Sequence, residues 1–205
     1  MNRILIAPLA LAVAVLSIPA HATSPEELDI RARQMMKDSF KDHGIAKTYR
    51  MLQLDFQQAC SQAKPPSADV MKQIEAEQMK TIKWPADGKY FGDWKEGEKI
   101  AISGRGLTWT DKAGAENGGG CYNCHQLSHH EISYGTIGPS LLEYGKVRGN
   151  SDEIVKYTWG KLWNAKAYNA CSNMPRNGDA GILTEDQIRH LMAYLFDPAS
   201  PVNKR

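Results

Sequence analysis

The sequence predicts an all-α protein. Three observations predict it: apolar residues recur at helical spacing along most of the chain, capping boxes stand ahead of those runs, and no strand-like alternation surrounds the central cysteines. Three segments follow from the same reading: a leader over 1–22, a helical extension over 23–85 and a second domain over 86–205.

In the leader, Arg3 precedes an apolar run from Ile4 to Ile18, and Ala20-His21-Ala22 has the small-x-small pattern of a cleavage site. Pro8, Ser17 and Pro19 break the run, which is short for a bilayer span. Export with cleavage near Ala22 is expected, with no stable membrane insertion. The destination is an oxidising compartment, a bacterial periplasm.

Ser24-Pro25-Glu26-Glu27 is a capping box with proline at the first helical position. The helix it opens would bury Leu28, Ala32, Met35 and Phe40, and His43-Gly44 breaks it. Ile45, Tyr49, Leu52, Phe56 and Ala59 form a second stripe. Lys64-Pro65-Pro66 is a turn, and Ser67 caps a third helix that ends before Trp84-Pro85. Short helices are marginal alone, so these need the following domain or a partner subunit to pack on. Met35, Met36, Met51, Met71 and Met79 read as packing residues.

Further along, Trp94 to Gly104 reads as a helix with Ile100, Ala101 and Gly104 on a small apolar face. Ser151 starts another, which places Trp159 and Trp163 on one face as packing residues. Thr184 and Gln187 make a capping box flanked by a Leu183–Ile188 staple. Ile188, Leu191, Met192 and Leu195 then line one face, His190 lies opposite and is read as solvated, and Asp197-Pro198 closes the helix. The net charge of +2 falls to +1 without Arg3, and no basic block suggests nucleic acid.

Cys121-Tyr-Asn-Cys124-His125 is the attachment signature for one covalently bound haem c. Each thiol forms a thioether with a haem vinyl group, and the histidine is placed under the iron. A thioredoxin-like pair would need a βαβ setting, and zinc would need a second ligand pair. His129 and His130 follow closely, on a polar stretch that favours solvation. Export together with the five-residue signature favours haem. Gly118-Gly119-Gly120 is either a tight turn beside a planar cofactor or a flexible loop.

An iron ligand on the opposite face would come from Met174 or Met192, the two methionines downstream. Met192 belongs to an apolar helix face. Met174 lies in an aperiodic polar loop, where Pro175 restricts it to extended backbone, and is the expected axial ligand. His129, His130 and His190 are the alternatives. With Cys121 and Cys124 consumed by haem, Cys60 and Cys171 are expected to pair in an oxidising compartment. Two separate thiols, or a bond to a partner, are the alternatives.

The order Cys121-Tyr-Asn-Cys124-His125, Ile137-Gly-Pro-Ser-Leu141, Met174-Pro175 and Ala193-Tyr-Leu195 resembles class I cytochromes c. That resemblance implies that Pro139 offers its carbonyl to the outer nitrogen of His125, and that the helix from Trp94 crosses the C-terminal one near Tyr194. GGGCYNCHQL, GTIGPSLLEYGKVRG, YNACSNMPRNG and LTEDQIRHLMAYLFDPASPV, within residues 87–202, look more specifically like the SoxX cytochromes of thiosulfate oxidation. The resemblance implies an electron-transfer subunit of an L-cysteine S-thiosulfotransferase. Its partner would be a monohaem or dihaem SoxA-type subunit bearing the catalytic site, so no catalytic residue is expected here. The SoxYZ carrier would bind transiently, and a soluble cytochrome would accept electrons. A free-standing carrier supplying a terminal oxidase is the alternative. An open-iron haem enzyme such as a peroxidase, or a subunit whose haem only holds the fold together, belongs to other classes.

Overall fold

The computed structural model describes residues 23–204, so the leader and its cleavage site lie outside the described residues. The described chain is helical, and its β structure is a single isolated bridge between His43 and Ala46. No helix among the described residues is long and apolar enough to cross a membrane.

Two compact units divide at Lys41 and Asp42. The first contains α1 (Pro25–Ser39), whose N-cap Ser24 accepts the Glu27 N–H at 3.1 Å. Leu28, Met35 and Phe40, expected in a core, are all exposed, and α1 buries no residue.

The second unit holds everything from residue 42 onward, so residues 42–85 pack in one body with residues 86–204. The stripe from Ile45 to Ala59 is not one helix. Asp42 accepts both the N–H and the hydroxyl of Thr48 at 2.8 Å, and Gly44 turns the chain at φ +51°. Those local bonds compete with a helical start. What forms is a 3₁₀ turn at Thr48–Met51 and a short helix α2 (Asp55–Cys60). Then come α3 (Ala68–Met79), capped by Ser67, and α4 (Trp94–Ile102), capped by Asp93. The short α5 (Tyr144–Arg148) leads to α6 (Asp152–Trp163), capped by Ser151, and α7 (Glu185–Phe196), which opens on the Thr184/Gln187 capping box.

The core gathers Trp159, Ile188, Leu191, Met192, Tyr194 and Val202, with Leu127. At the crossing of α4 and α7 the approach leaves no room for a side chain. A Cβ on Gly97 would lie 2.1 Å from the His190 carbonyl and 2.8 Å from Tyr194 Cβ. His190 is not the solvated residue its face suggested. Its Nδ1 accepts the Asp93 N–H at 2.8 Å, so it ties the start of α4 to α7.

Trp159 and Trp163 stack with centroids 6.0 Å apart. Their indole N–H groups donate to the Lys83 carbonyl at 2.8 Å and the Thr81 carbonyl at 3.1 Å. The fully buried Asn164 donates to Gln78 and Thr81. The end of α3 and the chain after it are thus fastened to α6.

Candidate haem-attachment site

Cys121 to Asn123 form a 3₁₀ turn that starts from Gly120 in the left-handed region at φ +56°. Of the two readings of the triglycine, the tight turn is the one present. Gly118, Gly119 and Gly120 donate to the carbonyls of Arg105, Ile100 and Ser103, each at 2.8 Å, which lays the segment against the end of α4. Downstream, Glu131 Oε2 accepts the N–H groups of Leu127 and Ser128 at 2.7 and 3.1 Å and closes the turn after His125.

A second segment runs beside the first. Gly135, Gly138 and Leu141 donate to the carbonyls of Tyr122, Cys124 and Gln126, each at 2.8 Å. This register brings Pro139 to His125, with the carbonyl oxygen 2.7 Å from Nδ1. A carbonyl can only accept, so Nδ1 carries a proton, and in the neutral ring the lone pair is on Nε2. No side chain or backbone group among the described residues bonds to Nε2. Gly138 is needed beside the ring: a Cβ there would lie 2.2 Å from the imidazole Cε1. The histidine is therefore oriented from behind with Nε2 unengaged, the kind of support that metal-ligating histidines ordinarily have.

Cys121 and Cys124 are half-buried, unpaired thiols. Burial, opposed in part by its own backbone N–H, pushes the Cys121 thiol up to about 12. Redox-active pairs hold a thiol well below its ordinary value, so this environment is unlike theirs. The helical setting also lacks the βαβ unit of that class. For zinc, no three His, Cys, Asp or Glu side chains form a chelating group among the described residues. His129 and His130 are exposed.

The residues present fit a haem. Two free thiols and an oriented imidazole occur together on one turn. Ile137, in the segment that runs beside that turn, is 75% exposed and forgoes the gain of burial. Tyr194 of α7 is buried, and its hydroxyl is held above its ordinary range by that burial, then by Glu98, Glu131 and Cys121. Tyr194 thus marks where α7 approaches the Cys121 turn.

Met174 is half-buried and packs against the core cluster, as do Cys121 and Tyr122, whereas Met192 is fully enclosed within that core. The Met174 N–H donates to Ser172 Oγ at 3.2 Å. Cys171, three residues earlier, is bonded to Cys60. Sequence reasoning missed Gly138 and Glu131, whereas Tyr194 lies at the crossing with α4 that the resemblance implied. The signal for Gly138 was its place immediately before Pro139, and that for Glu131 was a carboxylate three and four residues after the N–H groups it accepts.

No known protein-family model matches the chain. It is 34% identical over 201 residues, 95% of each chain, to a protein of Aquifex aeolicus (strain VF5) described as an uncharacterized lipoprotein.

Proposed function

The chain belongs to one family with the Aquifex aeolicus lipoprotein, and on that premise we propose that it is an exported class I cytochrome c of the SoxX type. One observation carries the reading: the Nδ1–H of His125 is given to the Pro139 carbonyl, leaving Nε2 to a metal, beside the free thiols of Cys121 and Cys124. Cys121 and Cys124 would hold one haem c through thioethers, with His125 and Met174 as axial ligands. Such a haem supplies one-electron transfer, and a methionine opposite the histidine raises its potential.

The chain's own residues hold the imidazole in one tautomer and keep the Met174 loop in place. Were His125 and Met174 both to hold the iron, the protein would offer no open metal to a substrate. It serves as an electron relay, with the chemistry on a SoxA-type partner that joins thiosulfate to a cysteine of a SoxYZ-type carrier. Electrons then pass to a soluble cytochrome. Export fits both the leader and the relative's lipoprotein description. The first cysteine of this chain is Cys60, so this reading takes cleavage after Ala22 into a periplasm rather than lipid attachment to a leader cysteine.

The test is made on protein exported by cells that attach haem to c-type cytochromes. Haem should stay with the denatured polypeptide, and the oxidised protein should show the weak sulfur-to-iron charge-transfer band at the edge of the near infrared. Met174→Ala should abolish that band. Its survival in Met174→Ala, with loss in Met192→Ala, would refute the ligand assignment. The purified protein alone should leave thiosulfate unchanged, and adding a SoxA-type subunit and carrier should start thiosulfate-dependent reduction of an external cytochrome. Turnover with the carrier but no partner would refute the relay.

A further inference from the structure

The loop that carries Met174 has no helix of its own, and groups from far upstream grip it on both flanks. Before Met174, Cys171 is bonded to Cys60 of α2, 111 residues away in sequence. The neighbouring Ala170 N–H donates to Glu75 Oε1 of α3 at 3.1 Å. After Met174, the Arg176 guanidinium lies over the Phe56 ring, 5.1 Å from its centroid, and pairs with Asp179. The Lys166 ammonium also lies over Phe56, at 5.6 Å, and donates to the Ser172 carbonyl. Ser172 in turn accepts the Met174 N–H. Two elements of one upstream segment, α2 and α3, therefore fix residues 170 to 176.

A thioether is a neutral and weak ligand, so the fraction of time it spends on iron depends on how far its loop can swing. Loops without external restraint are the segments that open most easily. We propose that the Cys60–Cys171 bond and the Phe56 clamp are positioning devices that hold the Met174 thioether to iron, an inference that rests on the ligand reading above. Residues 55–75 then have a function in the site although none of them touches the cofactor. Each restraint lowers the population of the open state, in which an external ligand can take the vacated face.

Imidazole titration of the ferric holoprotein measures that population. An external ligand that binds only the open state has an apparent affinity proportional to the open fraction. In Cys60→Ser/Cys171→Ser, imidazole should bleach the sulfur-to-iron band at about tenfold lower concentration than in the unaltered protein. Phe56→Leu, which leaves the disulfide intact, should shift the midpoint about threefold in the same direction. The far-ultraviolet circular dichroism of each should be unchanged at the titration temperature. If the double variant does not accumulate, the same titration is made on unaltered holoprotein reduced with a phosphine, alkylated and re-oxidised at iron with ferricyanide.

Midpoints within error of the unaltered protein, in the disulfide-free form and in Phe56→Leu, would overturn the proposal alone, provided Met174→Ala lacks the band. A Met174→Ala protein that keeps the band overturns the ligand reading and the proposal with it.

Discussion

Helix α1 and the segment from Asp42 to Lys83 both carry apolar residues at helical spacing, yet they are held in opposite ways. Within its own unit α1 carries local bonds: the Ser24 cap, Pro25 at the first turn, and the i,i+4 ion pairs Glu27–Arg31 and Asp29–Arg33 on its exposed surface. Pairs of that kind contribute only a few tenths of a kcal/mol each. The second segment has less regular structure and far stronger anchorage. Its restraints are the Cys60–Cys171 bond, the Phe56 clamp, Glu75 on Ala170, and the carbonyls of Thr81 and Lys83 under two tryptophans. Regular pattern and secure attachment are separate properties. A helical stripe shows that a face exists; only a partner surface decides whether it is covered.

The largest effect should come from cutting that anchorage at its most enclosed point. Trp159 is fully buried, stacks on Trp163, meets the edge of Tyr90 and bonds to the Lys83 carbonyl. Trp159→Ala should lower the unfolding free energy by about 3–5 kcal/mol in a denaturant titration. A loss below about 1 kcal/mol would mean that the tryptophans are not what secures residues 81–83.

A smaller effect, sharpened by pH, should appear where the chain passes Asp87 on its way to α4. Hydrogen bonds from the Arg189 guanidinium, then from the Lys89 N–H, hold the Asp87 carboxyl at about 2, below its ordinary 3.8. The folded state thus favours the charged form. The contribution is complete above 3.8 and is lost as pH falls through about 2. Because the pair is exposed it should be modest and salt-sensitive. Asp87→Asn should flatten the stability–pH curve across that window, and an identical slope in both proteins would remove the pair from the account.

The smallest effect should come from α1. Joining the leader directly to Asp42 removes a helix that buries nothing, so the melting free energy should change by less than about 0.5 kcal/mol. A larger loss would show that α1 is held as firmly as the segment after it.

What was legible in the sequence was what is encoded locally. Thr184 with Gln187, Ser151 and Ser67 cap the helices they were expected to start, because a cap bonds within three residues of itself. Met192 was legible as core from its helical face. The Pro139 carbonyl lies at His125, as the resemblance implied. The His190 bond to Asp93, the Phe56 clamp and the carbonyl targets of the tryptophans were not legible. Each joins residues many tens of positions apart, and nothing in the spacing of either partner records the other. The stripe from Ile45 to Ala59 misled for a related reason: its period is helical, but Asp42 and Gly44 commit the backbone to another course first.

The order of the four cysteines has a consequence for how the molecule is made. The outer two, Cys60 and Cys171, enclose the inner two, Cys121 and Cys124, along the chain. Four thiols can pair in three ways, and two of those tie an inner cysteine to an outer one. Either of those pairings would take a thiol from the Cys121–Asn123 turn and undo the Cys60–Cys171 bond at the same time. On the proposed export route the inner pair would cross the membrane before Cys171, so Cys60 would meet two unsuitable partners before its own. On that proposal, keeping Cys121 and Cys124 reduced or occupied until Cys171 arrives is a demand that this chain places on its host cell.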